Sequence, residues 1–178
     1  MPLDIAAGIL LSLLVANLFH AYASAGFILL GIAFALFPDI DGLLSFAPGV
    51  TDHRSLPHYP LVETILAIAV TLIWGNQIGL LFVLCVFFHL LHDTFFFGWG
   101  VRWLWPLSNT AISIFHDKDG KITRDILYLT DENKTSIRAA YKTDDWFKRL
   151  YLRPSYLSLI EYPAFLISLV ILVAHFLR

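Results

Sequence analysis

The chain has 178 residues, of which 58% are hydrophobic and only 15% charged, with a mean hydropathy of +0.71. Such a composition is too apolar for an ordinary soluble domain and places the protein among membrane proteins. The net charge of −2 does not point to a nucleic-acid partner, so membrane lipids are the expected surroundings.

From Ile5 to Pro38 there is no Asp, Glu, Lys or Arg, a run long enough for two passes of roughly 20 residues each. Ser24, Ala25 and Gly26 are the expected turn, and the second pass is short enough to be partial or re-entrant. No Lys or Arg precedes the first run and no convincing cleavage site follows it, so it is expected to stay as an anchor. Tyr59 to Trp74 and Gln77 to Phe97 form two further apolar segments, divided by Gly75 and Asn76, which suit a tight reversal. Cys85, the only cysteine, lies inside the second of these and can form no intrachain disulfide. A final segment runs from about Ser158 to Leu177.

The expected architecture is an all-α polytopic membrane protein of about five transmembrane helices, a single membrane domain over residues 1–178. Residues 98–157 form its one sizeable polar insertion. That insertion opens with Trp99, Trp103 and Trp105, residue types that favour the headgroup zone. Ala111 to Phe115 and Ile122 to Leu129 alternate and are β-branched, with Asp117, Lys118, Asp119 and Gly120 between them, which predicts a small surface β-hairpin. An EF-hand would need glycine at the sixth position of its loop, so the Asp117 and Asp119 pair is read as a plain turn. Further on, Thr143 or Asp144 can cap a short helix in which Trp146 meets Leu150 and Phe147 meets Tyr151. That is the pattern of an interfacial amphipathic helix between the fourth and fifth spans. Arg102, Lys118, Lys121, Arg124, Lys134, Arg138, Lys142, Lys148, Arg149 and Arg153 all fall in this insertion, out of twelve Lys and Arg. The positive-inside bias therefore assigns it to the cytoplasmic face. The 39–58 loop is separated from it by two passes and must share its side.

Four of the seven histidines accompany acids. His89 and Asp93 stand at i,i+4 on the fourth span, about 6 Å apart on one helix face, with His92 on the adjacent edge. Two readings fit them: a cation site, or a hydrogen-bonded pair that joins helices. Asp39 and Asp41 end the second span after Pro38. In a turning backbone both carboxylates can face one side, whereas a plainer reading makes them a polar stop. Asp52, His53, Arg54 and His58 then bring two imidazoles and a forked cation suited to phosphate oxygens. Ionisable groups at membrane depth are costly, so three such segments at one membrane face point to a shared metal site. A mixed nitrogen and oxygen set suits zinc, and next manganese or iron.

These elements, in this order, resemble the YdjM-like inner-membrane metal-dependent hydrolases. The shared pattern is Pro38-Asp39-Ile40-Asp41, then His53-Arg54 with His58, then His89 and Asp93 followed by Gly98 or Gly100 and Trp105-Pro106. Departures are Ser55, Pro57 and Tyr59 within the second motif. An early family histidine finds its nearest match in His20, which the predicted topology puts toward the opposite face. The resemblance implies a metal-dependent hydrolase of the cell inner membrane and, more remotely, a site similar to that of zinc-dependent phospholipase C.

The expected metal ligands are thus Asp39, Asp41, His53, His58, His89 and Asp93. Of the pair Asp39 and Asp41, the less tightly held is expected to act as general base, and Arg54 to bind phosphoryl oxygens. The expected substrate is a phosphoester of a lipid or polyprenyl phosphate. A metal-dependent amidase, or a non-enzymatic transporter or metal-binding scaffold, are the rival readings, and His-Glu-x-x-His is absent.

Overall fold

The computed structural model describes residues 2–41, 56–96, 100–118, 121–141, 152 and 155–177. Among these residues six α-helices and one hairpin follow in order: α1 (Pro2–Leu18), α2 (Ala25–Leu36), α3 (Pro60–Trp74), α4 (Asn76–Phe96), β1 (Ala111–Lys118), β2 (Lys121–Leu129), α5 (Lys134–Tyr141) and α6 (Tyr156–Phe176). All five apolar segments of the sequence are therefore helices. Among the described residues, α4 and α6, of 21 residues each, are the helices long and apolar enough to cross a membrane. At 1.5 Å per residue they reach about 31 Å, the thickness of a hydrocarbon core. The 17, 12 and 15 residues of α1, α2 and α3 give only about 25, 18 and 22 Å.

Local chemistry explains the boundaries. Ser24 caps α2 by accepting a hydrogen bond from the Phe27 amide, so the expected turn at residues 24–26 is instead the start of the helix. Pro38 then tightens the chain into a 3-10 turn, Phe37–Asp39. Pro60 opens α3 at its first position, and Gly75, at φ +87, ends it. A reciprocal capping box between Ser155 and Ser158 starts α6.

α4 is the central element, packed against α1, α2 and α3, while α6 packs on α1. Ala67 of α3 meets Phe82, Val86 and Leu90 of α4 in one core cluster, joined by Val101. Val15, Ala35, Leu81 and Cys85 form another, in which the cysteine is a buried filler. α1 and α2 approach through small residues. A Cβ on Gly8 would stand 2.6 Å from the Ile32 Cα, and Ser12 and Gly31 lie in the same contact. Without a hydrophobic drive between helices in lipid, such close backbone approach is what brings spans together. The outward faces are strongly apolar, with Leu14, Ile65, Leu72, Leu159, Leu166 and Val170 exposed.

The predicted hairpin is present and longer than expected, antiparallel with Ala111 opposite Leu129 and an irregularity between Ile114 and His116. Strand β1 packs on α4 and bridges Val101 through Ile112. The helix expected at residues 143–151 lies outside the described residues, as do Asp119 and Gly120 of the hairpin turn. The helix seen in the insertion is α5, which the sequence reading did not anticipate. Lys134 at its start bonds Asp131 at 2.9 Å, and Arg102 lies 3.4 Å from the same oxygen. These two cations hold the Asp131 carboxyl below its usual range.

Candidate metal centre

The start of α3, the start of α1, the end of α2, the end of α4 and the start of α6 meet at one end of the bundle, where the polar groups collect. His58 closes a 3-10 turn, Leu56–His58, that packs against the Phe37–Asp39 turn. Its ring is gripped from both nitrogens: Nδ1 lies 3.1 Å from Asp41 Oδ2, and Nε2 lies 3.8 Å from Asp39 Oδ1. The two aspartates therefore do not face one side. After the 3-10 turn Ile40 is in the right-handed helical region, which swings Asp41 to the far edge of the imidazole.

His89, on the second-last turn of α4, is fixed in the same manner. Its Nδ1 lies 2.9 Å from the Ala35 carbonyl oxygen and 3.4 Å from Asp4 Oδ1. Donation from Nδ1 to the carbonyl leaves the Nε2 lone pair directed away, and that nitrogen makes no hydrogen bond among the described residues. It stands 3.6 Å from Asp39 Oδ1 and 3.8 Å from Asp93 Oδ2. Asp93 Oδ2 is in turn 3.3 Å from Nε2 of His58.

Ligand atoms of Asp39, His58 and His89 all lie within 4.8 Å of one another, a group that could hold a metal ion. Ligands about 2.1 Å from a tetrahedral cation stand roughly 3.4 Å apart. The four nitrogen–oxygen separations of 3.3, 3.6, 3.8 and 3.8 Å bracket that value from just below to a few tenths above. They are long for direct hydrogen bonds, so the donor set fits a cation better than it fits itself.

Three further acids enter that the sequence reading passed over. Asp4, 1% exposed, lies 3.0 Å from Nδ1 of His92, and His92 Nε2 lies 3.4 Å from Glu161 Oε1 of α6. Glu161 is itself fully buried and accepts from the Leu3 amide. Glu63 of α3 is buried as well. The signal for all three is the one that singled out His89: an ionisable side chain next to or within an apolar helix. His92, whose part was open in the sequence, belongs to this second row. His20, the nearest match to the early family histidine, is exposed in the turn after α1 and has no part in the cluster. His53 and Arg54 lie outside the described residues.

The polar insertion reaches the site through one clamp. Arg102 donates to the Tyr59 hydroxyl at 2.8 Å, Tyr59 stacks on Trp105 at 4.8 Å, and Tyr59 follows His58 directly. Trp103 Nε1 donates to Thr94 Oγ1 at the end of α4. The segment after α4 is thus fastened both to the residue that follows His58 and to the last turns of α4, next to Asp93.

A helical membrane protein with a buried His and Asp cluster at one end of its bundle is the class that fold and site define. The chain belongs to the YdjM inner membrane protein family, whose model matches residues 4–176, from Asp4 to the last turn of α6. No curated protein and no solved structure matches it.

Proposed function

We propose that the protein is a membrane-bound, metal-dependent hydrolase that cleaves a phosphoester of a lipid or polyprenyl phosphate. The observation that carries this reading is the convergence of the His58 and His89 Nε2 atoms with Asp39 and Asp93 at tetrahedral-edge distances. Zinc is the cation that such a nitrogen and oxygen set suits best, with manganese or iron next. When bound, a cation of this kind lowers the pKa of water to about 7 and so makes a nucleophile available at neutral pH.

The chain's own residues supply the rest. Asp41 turns His58, and the Ala35 carbonyl with Asp4 turns His89, so that each ring offers its Nε2 lone pair. Asp39 and Asp93 contribute negative oxygens on either side of the two rings. His53 is a further ligand, and Arg54, with its forked donors, holds the phosphoryl oxygens. The polar groups gather at the bundle end that leads into the insertion, where a lipid headgroup would approach. An ion path would spread its ligands along the bilayer depth, which speaks against the transporter reading. The basic character of the insertion favours the cytoplasmic side. We take the protein to be polytopic, with the three shorter apolar helices completing the membrane domain beside α4 and α6.

The test uses the full-length protein purified in detergent, with elemental analysis and hydrolysis assays on lipid phosphates and on peptides. We expect about one or two bound divalent ions per chain, release of phosphate or headgroup, and loss of both together in His89→Ala and Asp93→Ala. Peptide cleavage without phosphoester cleavage would move the protein to the amidase reading, and activity retained without metal would overturn the mechanism.

A further inference from the structure

Hydrolysis needs a group that takes the proton from water, and of the two aspartates first expected to do so Asp41 is engaged with His58 and Asp39 belongs to the ligand group. We propose that Glu63 is that group, a catalytic residue of α3 that accepts the water proton and returns it to the leaving oxygen. The inference rests on the hydrolytic reading above.

Glu63 is 4% exposed, and neither of its carboxylate oxygens makes a hydrogen bond among the described residues. Burying a carboxylate without a partner is costly, so such a group is rarely a packing element. Its place follows from the α3–α4 hairpin. Glu63 and Ala67 are i,i+4 and share the buried face of α3, while Ile65 and Ile68 are exposed. Ala67 packs against Phe82, Val86 and Leu90 of the antiparallel α4. One turn earlier in α3 corresponds to one turn later in α4, the level of His89 and Asp93. The carboxylate also interacts electrostatically with both the His58 and the His89 ring. The register thus puts Glu63 at the level of the ligand group, of which it is not a member, where a carboxylate can serve as proton acceptor.

In the step assigned to it, an O–H bond of the attacking water breaks and its proton passes to a Glu63 oxygen. The water oxygen forms its bond to phosphorus, the phosphorus–oxygen ester bond breaks, and the departing alkoxide takes the proton back. No redox change occurs, and the carboxylate is regenerated.

The decisive variants are Glu63→Gln, close in shape, and Glu63→Asp, which keeps the acid. They are compared with the parent in the full-length protein loaded with zinc, and again with cobalt(II) for its visible spectrum. We expect Glu63→Gln to retain the parental metal content, to lose on the order of 10²- to 10⁴-fold in kcat, and to shift the pH midpoint of the cobalt spectrum. Glu63→Asp should recover part of the rate. Parental kcat in Glu63→Gln, or an unmoved spectral midpoint, overturns the assignment. So does loss of metal in both variants, which would make Glu63 a ligand or a folding element. Should the parent bind cobalt yet cleave no phosphoester, the proposed substrate class fails by itself, and the spectral midpoint still decides the role of Glu63.

Discussion

Asp4, in the first turn of the chain, lies 3.0 Å from Nδ1 of His92, 88 residues further on. The same carboxylate oxygen is 3.4 Å from Nδ1 of His89. One acid thus braces two histidines of α4, and Glu161 meets the second of them from α6. The cluster that could hold a cation is braced from behind by helices that contribute no ligand atom to the Asp39, His58 and His89 group.

That support should be measurable as metal affinity. Outer partners of a ligating histidine typically contribute 10- to 100-fold. Asp4→Asn is expected to weaken zinc binding by about that factor while the fold persists, read by competition with a chromogenic chelator. An affinity equal to the parent would mean that the Ala35 carbonyl alone orients His89.

The histidines divide into sets with different fates. His58→Ala and His89→Ala each remove a nitrogen from the ligand group and should abolish metal retention through gel filtration. His20→Ala, at an exposed turn, should leave metal content at the parental level. Equal loss in all three variants would count against the site as drawn.

The contact of α1 with α2 depends on the absence of side chains. A Cβ at Gly31 would meet the Ser12 hydroxyl and come 2.7 Å from the Gly8 carbonyl oxygen, and both obstacles belong to a facing helix. Gly31→Leu should therefore separate the two helices and cut the yield of monodisperse protein in detergent severalfold. Gly26→Ala, where only the Ser24 hydroxyl comes near, at 3.9 Å, is the control expected to behave as the parent.

Gly100 has both a conformational and a steric reason to be glycine. Its φ is +69, and a Cβ there would lie 2.9 Å from the Ile112 carbonyl oxygen, which accepts from Val101. Gly100→Ala is expected to destabilise by roughly 1–3 kcal/mol, seen as a lower midpoint of thermal unfolding. Metal bound to the folded variant should be unchanged, since glycine brings no side-chain ligand. An unaltered midpoint would show that the loop rearranges freely around the substitution.

Hydropathy, the i,i+4 spacing of His89 with Asp93 and the alternation around residues 111–129 are local properties. The sequence alone was therefore enough to determine a helical membrane protein with a surface hairpin and to point to Asp39, His58, His89 and Asp93 as neighbours. Helix length was also local in principle. Pro38 closes the second apolar run, already read as short, and Pro60 and Gly75 bound the third, so that these helices hold 12 and 15 residues, less than a full pass. The facing of Asp41 away from Asp39 depended on one 3-10 turn, which spacing by itself leaves undecided. The parts played by Asp4, Glu63, His92 and Glu161 depended on which helices pack together. That choice was settled only in three dimensions, because close contact through Gly8, Ser12 and Gly31 and the hairpin of α3 on α4 decide which buried carboxylate faces which imidazole.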